Sequence, residues 1–224
     1  MKLKFSLAVI LACVPSAFAS LIPLSPINVI GYLGAYPGPF PAASILDNQT
    51  GPIVENTQNG TYWLNSDNGP SNAYIVIDLG PGGFHLASFD LFNTHNANFG
   101  DRGTGNFSIE ASNSIAPGTG ASVGSDLSGP TVTLVTGTLL AANPSVSPLV
   151  AQTFLSSDPG TYRYIRFSPH SVASFNPPCC GTNVYGLNEL RAFDAPLNNV
   201  PEPATTALLG VGLAVLGLLR KRTA

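Results

Sequence analysis

Tyr74-Ile75-Val76-Ile77-Asp78-Leu79, running into Gly80-Pro81-Gly82-Gly83, decides the class of fold. A tyrosine followed by three β-branched residues suits a pleated, half-buried strand, and a Gly-Pro-Gly-Gly run can continue neither strand nor helix, so the chain must turn there. The same alternation of β-type runs and turn-rich punctuation recurs outward in both directions. Residues 84–92, 107–111, 132–140, 162–167 and 185–193 are predicted strands, while 112–130, rich in Ser, Gly and Pro, reads as a long surface loop. With 23 glycines and 20 prolines in 224 residues and few Lys, Glu or Ala runs, long helices are disfavoured. The fold class expected is all-β, a sandwich or jelly roll, with no internal repeat.

The two ends have a different character. Lys2 and Lys4 precede an apolar run, and Ala17-Phe18-Ala19 places small residues where a signal peptidase cuts, so residues 1–19 read as a signal peptide. A lipoprotein reading would instead lipidate Cys13, but Leu11 stands where that motif usually has a small residue. At the other end, Val200-Pro201-Glu202-Pro203 leads into the uncharged stretch 204–219 and then Arg220-Lys221-Arg222. Three cations beside an apolar run fix its orientation with the basic end in the cytoplasm. Sixteen residues at roughly 1.5 Å each reach only about 24 Å, short of a hydrocarbon core of about 30 Å, so transient anchorage suits this helix better than permanent spanning. The alternative, a buried amphipathic helix, lacks a polar face. This tail resembles the PEP-CTERM sorting signal of bacterial exported proteins. The resemblance implies processing by a membrane-embedded exosortase, a precursor anchored in the inner membrane, and a destination at the cell surface or outside the cell.

Removing both ends leaves a domain, residues 20–195, followed by a linker 196–203 and the terminal segments 204–219 and 220–224. About 180 residues suffice for one domain with its own core, which buries roughly 70% of the unfolded surface. Between Ser20 and Asn199 stand four arginines and no lysine against eleven carboxylates, a formal charge of −7. Nucleic acid is excluded as a partner, because holding phosphate takes a basic stripe that this domain lacks.

Six segments carry a second resemblance. Ala43-Ser44-Ile45-Leu46-Asp47-Asn48, Thr61-Tyr62-Trp63-Leu64-Asn65-Ser66, Tyr74 to Gly80, Phe107-Ser108-Ile109-Glu110-Ala111-Ser112, Tyr162-Arg163-Tyr164-Ile165-Arg166-Phe167 and Leu187-Asn188-Glu189-Leu190 follow the order found in discoidin, or coagulation-factor type C, domains. The chain is similar to that family over residues 30–194. The resemblance implies a galactose-binding-like jelly roll that binds sugars or other surface ligands through loops at one end, with Trp63 in the core. Two departures stand out: Asn48 replaces a common glycine, and residues 49–60 form an insertion.

The same resemblance implies a structural Ca2+ joining the loop at Asp47 to the last strand at Glu189, with Thr50 adding an oxygen. Alternatively Asp47 caps a turn and Glu189 pairs with an arginine such as Arg163. For the ligand surface, residues 93–103 offer His95, Phe99 and Arg102 among amides. That mixture suits a sugar, since polar groups meet hydroxyls and a ring covers the apolar face. The expected partner is an extracellular polysaccharide or envelope glycan, bound without catalysis; a structural matrix component without a discrete ligand is the alternative, and a glycan-acting hydrolase a more distant one. Adjacent Cys179 and Cys180 form either a vicinal disulfide in an oxidising exterior or remain thiols. Gly120-Ala121-Ser122-Val123-Gly124 satisfies a nucleophile-elbow pattern with Asp158 and His170 following, but Pro117-Gly118 and Gly129-Pro130 flank it where a strand and a helix are needed.

Overall fold

The computed structural model describes residues 19–55, 60–158 and 160–195; the expected cleavage segment up to residue 18, the linker, the apolar stretch 204–219 and the basic end lie outside the described residues. Among the described residues no helix is long and apolar enough to cross a membrane. Fourteen strands follow one another: β1 (Ser20–Leu21), β2 (Val29–Leu33), β3 (Trp63–Leu64), β4 (Tyr74–Asp78), β5 (Phe84–Phe92), β6 (Asn106–Ser112), β7 (Ser114–Pro117), β8 (Val123–Ser128), β9 (Val132–Thr138), β10 (Gln152–Leu155), β11 (Thr161–Tyr162), β12 (Tyr164–Pro169), β13 (Gly186–Leu187) and β14 (Glu189–Asp194). Among the described residues helix is confined to two short 3-10 turns, Pro26–Asn28 and Ala42–Leu46. The architecture is an all-β sandwich.

Its larger layer has seven strands in the order β7-β8-β2-β4-β12-β6-β9, and the facing layer runs β1-β14-β5-β10 with β11 also on β5. A small third ladder joins β3 to β13. Every pairing among these strands is antiparallel, although most partners are far apart in the chain. β4, the run that opened the sequence reading, sits at the middle of the larger sheet, with Ile75 and Ile77 turned into the core. Ile165 and Phe167 of β12, and Phe107, Ile109 and Ala111 of β6, enter the same core; Phe89, Leu91, Leu190 and Ala192 meet them from the other layer. Trp63 is fully buried there, its indole N–H donating to the Gly34 carbonyl at 3.0 Å.

Departures from strict alternation have local causes. Ser88 and Leu86 of β5 pair with the consecutive residues Phe193 and Asp194, so Ala87 is a bulge, and both Leu86 and Phe89 face inward. The run 162–167 is broken at Arg163. There the chain passes from β11, paired with β5, to β12, paired with β4 and β6 in the other sheet, and the guanidinium grips Asp78 with 3.0 and 2.9 Å bonds. Asn188 likewise divides 185–193 where β13 gives way to β14.

The segment 112–130 is not a surface loop. It contains β7 and β8, a hairpin that extends the larger sheet through the pairing of Gly31 with Gly124. Glycine is what allows it: a Cβ on Gly31 would lie 1.8 Å from the Ser125 carbonyl oxygen, and one on Gly124, at φ +73°, 2.1 Å from that of Ile30. The glycines that suggested a loop serve close approach of two strands.

Candidate functional site

Loops from four distant stretches converge on a cavity of about 340 Å³ lined by Tyr36, Phe40, Tyr62, Phe99, Arg102 and the Cys179–Cys180 pair, among others. The aromatic rings form a continuous wall: Tyr36 meets Phe40 edge-on at 5.8 Å between centroids, and Phe40 lies 4.8 Å from Tyr62. Tyr62 is buried and donates to Asn96 Oδ1 at 3.1 Å, and Asn96 Nδ2 donates to Asp101 Oδ1 at 2.7 Å. Burial, reinforced by the nearby Glu55 charge, pushes the Tyr62 hydroxyl far above its ordinary pKa, so it stays a donor.

Arg102 is 5% exposed yet charged, and three contacts hold it: Asp67 Oδ1 at 2.7 Å, the Tyr36 ring at 5.3 Å from its centroid, and Cys179 Sγ at 3.5 Å. Its Nε and Nη1 find no hydrogen-bond partner among the described residues. Leaving buried donors unmade is costly, on the order of 1–3 kcal/mol each, and both of these atoms are shielded from solvent. Phe99, by contrast, is 64% exposed at the rim.

His95 does not join Phe99 and Arg102. It faces a second cavity, of about 410 Å³, together with Glu55. The reason is an ion pair: Nδ1 lies 2.8 Å from Glu55 Oε2 and also contacts the Ala97 carbonyl, while Glu55 accepts the backbone N–H groups of His95 and Ala97 at 3.0 and 2.8 Å. Glu55 thus braces a turn in which Asn96 and Ala97 both adopt positive φ, 50° and 55°. His95 is part of the brace, and the cavity that Phe99 and Arg102 line is a separate one.

Asp47 and Glu189 do come together. Their side chains are hydrogen-bonded, and burial lifts Asp47 to about 6 and Glu189 to about 8. Glu189 is fully buried and accepts the Asn48 N–H at 3.2 Å and the Gln49 side-chain amide. The buried Gln49 Oε1 has no partner among the described residues. Two carboxyls and an orphaned amide oxygen are a donor set that suits a hard cation. Thr50 is exposed, and no group of three or more His, Cys, Asp or Glu able to hold a metal occurs among the described residues. Beside the carboxyl pair Arg191 Nη2 donates to the carbonyls of Asn48 at 2.8 Å and Gly51 at 2.5 Å, a tie between loop and strand that needs no cation. Arg163, the alternative partner for Glu189, belongs to Asp78 instead.

The elbow residues are dispersed. Ser122 Oγ donates to the Thr119 carbonyl at 2.6 Å, Asp158 accepts the Tyr162 hydroxyl at 2.7 Å, and His170 lies 2.9 Å from Ser108 Oγ. Of the cavity residues, Tyr36, Phe40 and Tyr62 escaped the sequence reading. An aromatic pair enclosing Pro-Gly-Pro was the available signal, since large rings in a turn have no core of their own to fill.

Comparison with known proteins assigns the tail directly. Residues 199–222 match the family described as the PEP-CTERM protein-sorting motif. The chain carries a PEP-CTERM sorting signal. No curated protein sequence matches the chain. Among solved structures, the chain is similar to a family 32 carbohydrate-binding module from Clostridium perfringens in complex with GalNAc-β-1,3-galactose, at 13% identity and a TM-score of 0.50, over 78% of this chain and 99% of that one. A further module, from a family 31 glycoside hydrolase of the same organism, gives 13% identity and 0.50 over 77% and 95%. These structural neighbours are discoidin-like carbohydrate-binding domains, and the shared property is the fold.

Proposed function

We propose that this PEP-CTERM protein is an exported, non-catalytic glycan-binding protein, whose discoidin-like jelly roll holds a neutral sugar in the cavity between Phe99 and Arg102. The observation that carries this reading is the pairing of an aromatic wall with a buried guanidinium that keeps two N–H donors free. Aromatic faces cover the C–H face of a pyranose, and a shift of the guanidinium on binding would turn its two unpartnered, solvent-shielded N–H groups to the hydroxyls. Asp67 already neutralises the guanidinium, and the domain carries a formal charge of −7, so an uncharged ligand is favoured over an acidic one. The fold shared with carbohydrate-binding modules supports the reading, as does the sorting signal, which directs processing to an exosortase-type enzyme. On the same reading residues 1–19 are removed on export and 204–219 anchor the precursor in the membrane. Asp47, Glu189 and the Gln49 oxygen would hold a structural Ca2+, drawing loop 47–51 against β14 with Thr50 at its margin; the ion would supply charge for the carboxyl pair and no chemistry.

The test is a broad panel of neutral and acidic glycans presented to the purified protein at low and high salt. Binding to neutral sugars that survives high salt, and falls by about tenfold to a hundredfold in Arg102→Ala, is expected, since unpaired sugar hydroxyls cost about 1–3 kcal/mol. Absence of binding across the panel would overturn the reading in favour of a matrix component without a discrete ligand.

A further inference from the structure

The structure pairs Cys179 with Cys180, adjacent residues whose Cα atoms are 3.8 Å apart. A bridge between neighbours closes no loop, so it removes almost none of the unfolded chain's freedom and contributes little to global stability by that route. Its consequences are local, and they fall on the cavity. Both cysteines line it beside Phe99 and Arg102, with Cys179 half-buried and Cys180 exposed. The segment reaching them is stiff: Pro177 and Pro178 restrict φ, Cys180 sits at φ +67° and Gly181 at +124°. Hydrogen bonds tie it to the other loops of the site. The Asn68 N–H donates to the Cys180 carbonyl at 3.3 Å, the Asn176 N–H to that of Gly100 at 2.8 Å, and the Asn176 side chain to that of Phe99 at 2.5 Å.

We propose that the Cys179–Cys180 disulfide is itself a sugar-contacting surface of the cavity, and that glycan binding requires the oxidised pair. The proposal rests on the glycan reading of this cavity. A disulfide presents two neutral, polarisable sulfurs with no hydrogen to donate, a surface that packs against the C–H face of a pyranose as the rings do. Two thiols differ in each respect: they regain rotamer freedom, carry S–H groups, and next to the Arg102 guanidinium they ionise more readily. A thiolate there would pair with Arg102 through Nη2, which already lies 3.5 Å from Cys179 Sγ, and set a charge against the apolar face of the sugar. Oxidation therefore sets both the shape and the charge of the floor, and the oxidising exterior to which the sorting signal leads maintains it.

The experiment titrates the purified full chain with methyl β-galactopyranoside before and after treatment with dithiothreitol. The dithiol delivers two electrons and two protons to the bridge, giving two thiols, and closes to its own cyclic disulfide. Affinity is expected to fall about tenfold or more on reduction and to return on reoxidation, while the melting temperature hardly moves. The double variant Cys179→Ala/Cys180→Ala should show the weakened affinity without sensitivity to dithiothreitol, its fold checked by the same melting curve. Sugar binding by the oxidised protein that neither reduction nor the double variant alters would overturn the disulfide's role and leave the glycan site standing. No binding by the oxidised protein, of this glycoside or of any other neutral sugar on the panel, would overturn both.

Discussion

His95 and Arg102 belong to one loop and are both almost wholly buried, yet tertiary partners send them to different cavities. Burial by itself disfavours the imidazolium, but the hydrogen bond and charge of Glu55 outweigh it and raise the His95 pKa above its ordinary 6.5. A raised pKa means that the folded state holds this proton more tightly than the unfolded chain does. The stabilisation is therefore complete below pH 6.5 and is lost as pH rises through the folded value. In melting curves taken from about pH 5 to 9, the wild-type protein should lose stability over that rise, and His95→Gln should show a flatter profile. Superimposable profiles would mean that the brace does not depend on the proton. Sugar affinity should survive the same substitution, unlike Arg102→Ala. That Phe99 and Arg102 line one cavity was legible because a ring and a guanidinium in a polar loop have little else to do. The role of His95 was not legible, because Glu55 lies inside the insertion 49–60, forty residues earlier in the chain, and nothing local connects the two.

Between elements, the contact of loop 47–51 with β14 is the most chemically distinctive. Arg191 already draws the Asn48 and Gly51 carbonyls to the strand, while Asp47, Glu189 and the Gln49 oxygen form an acceptor-rich patch alongside. A cation bound there stabilises only the folded state. Free Ca2+ at a hundredfold its dissociation constant should add about 2.7 kcal/mol, or several degrees in melting temperature, and the increment should vanish in Asp47→Ala. A melting temperature indifferent to calcium and chelator would leave the hydrogen bonds of Arg191 and Glu189 to tie the loop to the strand. The hairpin of β7 and β8 teaches a different lesson at this scale. Its glycines and serines have low strand propensity, and only the partner strand β2, which needs glycine at the crossing, turns that composition into a strand. The strands with β-branched and aromatic runs were readable because each carries its own preference.

For the whole molecule, the sorting signal and the charge balance act together. A domain with no lysine and a net negative charge is repelled by anionic lipid, and the PEP-CTERM tail supplies a signal for membrane-associated processing. Deleting Arg220, Lys221 and Arg222 should weaken the stop and shift protein from the cell-associated fraction to the medium, read by immunoblot of the two fractions. Unchanged processing and distribution would contradict the role assigned to the basic cluster.

What the sequence by itself determined is what local chemistry controls. β-branched runs bounded by Gly and Pro specify an all-β chain, and the ordered Pro-Glu-Pro motif, apolar stretch and basic cluster specify its sorting. Only the tertiary structure decided which loops share a cavity. Tyr36, Tyr62, Phe99 and Cys179 are far apart in the chain and meet because the strands and loops that carry them deliver them to one place. Which side chains then remain free for a ligand depends on partners that no local pattern records: Glu55 takes His95 away, and Asp67 neutralises Arg102 while leaving two of its donors free.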